Sequence, residues 1–207
     1  MMPNNTSIRK IGITGGIGAG KSYVLEIIKN NCKCVILKAD DVANDLKLPG
    51  RACYEPVIKL LSEDILDENG YIDKTKMSGK IFEDEKLLKK VNAIIHPAVK
   101  KYILDAFASA ERDGYEYFFL EAALLIEDHY REILDEIWYI RAPRELRIQR
   151  LVDSRGYSRQ KAESIIEKQL SDEEFIHNSD RVIDNSDSYE KVYEQIKEIL
   201  GEQQIIQ

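Results

Sequence analysis

The eight residues Gly15-Gly16-Ile17-Gly18-Ala19-Gly20-Lys21-Ser22 constrain this chain more than any other segment. They fit GxxxxGK[ST], a loop whose glycines let the backbone curl until its N–H groups point at phosphate oxygens. Such a loop needs a strand before it and a helix after it, and both are legible. Ile8 to Thr14 (IRKIGIT) is short and β-branched, while Lys21 to Asn30 carries Val24, Leu25, Ile27 and Ile28 on one apolar stripe. The expectation is a nucleotide site built from Gly15 to Ser22. In it the helix adds the positive end of its dipole, Lys21 reaches the β- and γ-phosphates of ATP, and the Ser22 hydroxyl ligates Mg²⁺.

Further strands are expected at Cys34–Leu37, Tyr117–Leu120, Glu136–Arg141 and Arg181–Asp184, with helices at Arg144–Asp153, Ser158–Leu170 and Tyr189–Leu200. Alternating strands and helices predict an α/β fold with a five-stranded parallel sheet covered on both faces. Between the second and third strands no strand pattern appears. There Leu87, Leu88, Val91, Ile94 and Ile95 recur at helical spacing, and Pro49-Gly50 and Asn69-Gly70 read as turns. A segment that long is not a loop, so a helical insertion is expected. The domain reading is a nucleotide-binding core at 1–45, 115–143 and 178–207, a helical insertion at 46–114 and a lid at 144–177.

Hydrophobic residues make up 43% and charged residues 32% of 207, the profile of a soluble globular chain. No apolar run approaches the ~20 residues of a membrane span, and the N-terminus does not read as a signal peptide. Cys32, Cys34 and Cys53 have no metal-ligand spacing, which suggests reduced thiols and a cytoplasmic location. A net charge of −7 argues against a dedicated nucleic-acid binder. Yet six of the eleven arginines, Arg141, Arg144, Arg147, Arg150, Arg155 and Arg159, fall in one stretch with no lysine and only two acids, Glu145 and Asp153. Such a stretch points to a compact anion.

A phosphate loop alone does not define a reaction. No guanine-reading Asn-Lys-x-Asp occurs, and the DxxG at Asp67–Gly70 sits at a turn of the insertion. A small kinase needs a base, a second acid near the metal and an arginine lid. Asp40 directly follows the second strand, where it can accept a proton from an attacking hydroxyl; the competing reading is a helix N-cap ahead of Val42 and Leu46. Glu121 ends the third strand, as a metal-side acid or a solvated strand end. Arg147 and Arg150 share a helix face and Arg155 lies at the Gly156 turn, as lid residues or as a face of local ion pairs.

These residues resemble the dephospho-coenzyme A kinase family over nearly the whole chain. Thr14–Ser22 (TGGIGAGKS) looks like that family's loop, and Lys38-Ala39-Asp40 with Leu48-Pro49-Gly50 is similar to its Asp-Ala-Asp segment and downstream Pro-Gly. Lys80-Ile81-Phe82, Ile94-Ile95-His96-Pro97, Leu124-Leu125-Ile126-Glu127, Gln169 and Asp180–Asn185 follow in the family's order. The resemblance implies transfer of the ATP γ-phosphate to the ribose 3′-hydroxyl of dephospho-CoA, with Asp40 as the base, His96, Pro97 and Glu127 with Asp40 on the acceptor, and Asn185 on the nucleotide side. Combined with the residue reading above, the expected site has Asp40, Lys21 and Arg150 as catalytic residues, Arg147 and Arg155 on the nucleotide, and Ser22 and Glu121 on Mg²⁺. The expected state is a monomer or weak homo-oligomer without nucleic-acid or membrane partners. Four positions depart from the family: Lys38 stands for its first aspartate, Ala123 for a proline, Tyr23 for a threonine, and Phe175 lies near the place of a lysine. The alternatives are another small-molecule or nucleoside kinase on the same core, or a regulatory P-loop ATPase.

Overall fold

A computed structural model describes residues 7–82 and 84–201; the outer limits of the expected core, 1–6 and 202–207, lie outside the described residues. The chain divides into two compact units, one formed by Met1–Leu37 with Ala110–Gln207 and the other by Lys38–Ser109.

The first unit holds strands β1 (Arg9–Thr14), β2 (Cys34–Lys38, whose last residue opens the second unit), β3 (Tyr117–Glu121), β4 (Glu136–Arg141) and β5 (Arg181–Asp184). They form one sheet in the order β2-β3-β1-β4-β5, with parallel pairing of β1 to β3 and β4, and of β4 to β5. Strands covered on both faces read as unbroken apolar runs. Accordingly Phe118, Phe119 and Leu120 of β3 and Trp138, Tyr139 and Ile140 of β4 are all buried. The two-residue pleat then sorts them. Ile11, Ile13, Phe119, Trp138 and Ile140 pack with α1 (Lys21–Asn31) and the C-terminal helix Tyr189–Leu200. On the other face Tyr139 stacks on Phe175, with ring centroids 4.8 Å apart. The β4, β5 and C-terminal helix bounds are those expected, and the three cysteines are free thiols. Burial pushes the Cys32 thiol up to about 11 and Cys34 to about 12, so both stay protonated.

The second unit is helical: α2 (Ala39–Asp45), α3 (Tyr54–Leu61), α4 (Lys74–Phe82) and most of α5 (Glu85–Arg112). Asp73 accepts from the Thr75 and Lys76 amides at the start of α4, and Asp84 from those of Lys86 and Leu87 at the start of α5. These carboxylates take up the amides that a helix start leaves without partners. Along α5, Val91, Ile95, Val99, Ile103 and Phe107 form the buried stripe, whereas Leu88 is exposed. The DxxG segment is a turn in which Asp67 accepts from the Asn69 and Tyr71 amides, between the bridged residues Leu66 and Ile72.

After α6 (Arg144–Arg155) the helix expected at Ser158–Leu170 is α7 (Arg159–Ile166), which ends four residues early, and a further helix that was not expected, α8 (Asp172–His177), follows it, which makes the C-terminal helix α9. Ser171 accepts from the Glu174 amide while Glu174 accepts from the Ser171 amide, a capping box that starts a helix at this point. Among the described residues no helix is long and apolar enough to cross a membrane.

Candidate active site

The carboxyl edge of the sheet in the first unit carries the loop. Gly15 has φ +148°, and a Cβ there would lie 2.5 Å from the Ile140 carbonyl oxygen, so the chain turns tightly against β4. Gly20 caps α1 in the left-handed region, and a Cβ on it would lie 2.2 Å from the Asn185 amide nitrogen. Only glycine serves at both positions without strain. The start of α1 has no side-chain cap and no acid in its first turn, which leaves its amides and the positive dipole end to a ligand.

Lys21 Nζ donates to the Gly15 carbonyl across the loop, at 2.7 Å, and Ser22 is exposed. The Ala19 amide turns back on the Gly16 carbonyl. Ile17 is held from outside the loop: its N–H donates to Gln169 Oε1 at 2.9 Å, and its carbonyl accepts from Arg147 Nε at 2.9 Å. Two amides in the Gly16–Ser22 stretch thus have partners within the protein, and the phosphate-facing donors are to be sought among the others.

The arginine stretch separates into three groups. Arg141 bridges Asp172 and Asp184; Arg144 pairs with Glu145, Glu163 and Glu167; Arg159 pairs with Glu145 and Glu163. Arg155 is the exposed last residue of α6, with no acidic partner among the described residues. Arg147 and Arg150 instead serve backbone carbonyls. Arg150 donates to Gly18 at 3.4 Å, Ala19 at 3.2 Å and Asn185 at 2.9 Å, and burial pulls its guanidinium below the usual range. Asn185 is buried, and its side-chain amide donates to the Ala19 carbonyl at 2.8 Å.

Glu121 ends β3 half-buried, in register with Ile13, next to the strand end that feeds the loop. Beside it in sequence order, Ala123 to Tyr130 form a turn closed by bonds from the Asp128 amide to Leu124 and from Tyr130 to Leu125, with Glu127 exposed. Phe175 is buried under Tyr139 and is a core residue.

The remaining candidates belong to the second unit. Asp40 is exposed in the first turn of α2, and Lys38 is the N-cap residue, so Asp40 does not take the capping position. His96 and Pro97 lie exposed in the middle of α5, neither in the core nor at a helix end. Sequence reasoning passed over Lys47 and Lys74. Burial, then the Lys74 charge, push the Lys47 ammonium below its usual range, while Cys53 and Asp40 act in the opposite sense. Lys74 also lines an open groove of about 530 Å³ with Thr75, Ser78, Gly79 and Phe82, whose ring is 90% exposed.

Comparison with known proteins adds identity to this geometry. The dephospho-CoA kinase family model matches residues 9–191. A dephospho-CoA kinase of Carboxydothermus hydrogenoformans is 37% identical over 92% of both chains. One of Aquifex aeolicus is 35% identical over 94% of this chain and 97% of its own. Among solved structures, TT1252 from Thermus thermophilus superposes with a TM-score of 0.80 at 27% identity, covering 94% of this chain and 97% of its own. The Campylobacter jejuni dephospho-CoA kinase, at 21% identity and a TM-score of 0.63 over 95% and 97% of the two chains, shares the fold. A loop with Lys21 and Ser22 in place, inside a match that spans both units, makes this chain a member of the dephospho-CoA kinase family.

Proposed function

We propose that this protein transfers the γ-phosphoryl group of ATP to the ribose 3′-hydroxyl of dephospho-CoA, giving coenzyme A and ADP, in the cytoplasm. The observation that carries the reading is the family match over residues 9–191, which includes the complete loop and its lysine. The Lys21 ammonium leaves the Gly15 carbonyl and donates to the incoming phosphates, exchanging a neutral acceptor for a charged one. Arg150 lies against the Gly18, Ala19 and Asn185 carbonyls and pairs with no carboxylate among the described residues, so it is the arginine assigned to the transferring group. Asp40 is the base: it takes the proton of the 3′-hydroxyl as that oxygen bonds to phosphorus and ADP departs. Its exposure in the first turn of α2 leaves the carboxylate open to solvent and substrate. Lys47 and Lys74 supply positive charge on the acceptor side, with His96, Pro97 and Glu127 as further acceptor contacts and Arg155 and Asn185 on the nucleotide.

The residues fit Mg²⁺. The exposed Ser22 hydroxyl and the Glu121 carboxylate are hard oxygen donors. Thr14, at the strand end before the loop, adds a buried hydroxyl without a hydrogen-bond partner among the described residues. When bound, the ion would neutralise charge on the β- and γ-phosphate oxygens.

The test is incubation with ATP, Mg²⁺ and dephospho-CoA, with mass detection of the nucleotide product. A product one phosphate heavier is expected, formed about 10²-fold more slowly by Asp40→Asn. ATP turnover without that product would discard the acceptor, and full turnover by the variant would remove Asp40 from the chemistry.

A further inference from the structure

Arg147 has no place on an exposed lid. It is 4% exposed, and its guanidinium lies close against the loop, where a Cβ on Gly16 would meet Nη2 at 2.0 Å. Its Nε donates to the Ile17 carbonyl at 2.9 Å and its Nη2 to Gln169 Oε1 at 2.7 Å, while the same Oε1 accepts from the Ile17 amide. The three residues close a ring of hydrogen bonds that fixes both polar groups of Ile17. No carboxylate among the described residues pairs with Arg147. The acid nearest in effect, Asp172, already accepts from the Tyr139 hydroxyl and Arg141. A buried charge without an ionic partner is costly, and burial lowers the affinity of this guanidinium for its proton.

We infer that Arg147 and Gln169 form a positioning clasp that presents the loop to phosphate from behind and holds a positive charge there without touching the nucleotide. The choice of a neutral partner is the informative detail. Glutamine satisfies the same two donors as glutamate would, yet leaves the cation uncancelled, so the charge is compensated only when phosphate arrives. The clasp therefore trades stability of the empty protein for affinity toward anions. It rests on the nucleotide-binding part of the proposed function and is independent of the acceptor.

Gln169→Glu separates this idea from a plain structural role, because it keeps both hydrogen bonds and adds the missing countercharge. Thermal melting of the full chain, with calorimetric binding of Mg²⁺·ADP and of adenosine, reads the outcome. The expected result is a melting temperature at or above that of the parent, ADP binding weakened about ten-fold, and adenosine binding unchanged. Unchanged ADP affinity, or equal weakening of ADP and adenosine, would overturn the inference. Should that variant fail to fold, Arg147→Lys against Arg147→Met decides: the lysine variant must keep the tighter ADP binding, and equal affinities refute the role of charge. None of these measurements uses dephospho-CoA, so an absent kinase activity would leave the result intact.

Discussion

Replacing Gly20 by alanine probes the loop at a turn that is both left-handed and crowded. Two costs can be worked from the structure. At φ +88° an L-residue is left-handed, which costs roughly 1–2 kcal/mol. The new Cβ would also lie 2.2 Å from the Asn185 amide nitrogen and must displace it. That amide belongs to a residue 1% exposed and donates to the Ala19 carbonyl, so its displacement strands a buried donor and acceptor, at about 1–3 kcal/mol. The sum is about 2–5 kcal/mol, or a fall of roughly 5–15 °C in melting temperature for a chain of this size. Gly114 is the control: its φ is +72° with nothing within 4 Å of a Cβ, so Gly114→Ala bears only the first cost. Thermal denaturation of both variants, of Asn185→Ala, and of Gly20→Ala in the Asn185→Ala background completes the cycle. The double variant should be more stable than the sum of the two losses by about 1 kcal/mol or more, since the second substitution removes the clash. Equal losses for Gly20→Ala and Gly114→Ala, or strict additivity in the cycle, would show that Asn185 does not lock the loop.

Two further outcomes test the packing elsewhere in the first unit. Asp180 accepts from both Arg131 guanidinium nitrogens and from the Ile137 amide, and the Arg131 bond, the largest influence, holds its carboxyl below the usual range. Its contribution is therefore full above the unfolded value of about 4 and fades as pH falls through the lower folded value. Asp180→Asn should lose about 1–2 kcal/mol at neutral pH, and denaturant curves for variant and parent should converge below about pH 4; a constant gap would exclude the linkage. Phe175→Ala should cost about 3–5 kcal/mol and remove near-ultraviolet dichroism from the Tyr139 stack, and a loss under about 1 kcal/mol would mean the ring is not core.

What the sequence displayed was the part decided by local pattern. The loop announced itself through spacing, β4 through an apolar run ended by charge, as a strand buried on both faces must be, and β5 through its β-branched pair Val182-Ile183, although only Ile183 of β5 is buried. The start of α8 was also written there, as Ser171 three residues before Glu174, but the helix expected at Ser158–Leu170 stopped just short of it and no helix was expected beyond. The order of strands, with β3 between β2 and β1, depends on the whole sheet and has no local sign. The same holds for the clasp: Gln169 meets Ile17 across 152 positions, and no window of sequence holds both.

The arginine stretch shows why composition pointed to an anion while assigning the wrong posture to one side chain. A loop that turns amides toward phosphate turns carbonyls away from it, and those carbonyls need donors once they leave water. An acidic residue cannot help, since it donates nothing when ionised and would repel the ligand. Lysine could supply charge, but its ammonium does not spread donors across a plane as Arg150 does over the Gly18, Ala19 and Asn185 carbonyls. Arginine alone meets the backbone and adds positive potential in one group. The acids of the stretch and its surroundings, Glu145, Glu163, Glu167, Asp172 and Asp184, are engaged instead by Arg141, Arg144 and Arg159. Charge is thereby sorted: neutralised pairs away from the loop carbonyls, and uncompensated guanidinium against them. A segment built this way reads as a phosphate-meeting surface even though Arg147 is buried, bonded to Ile17 and Gln169.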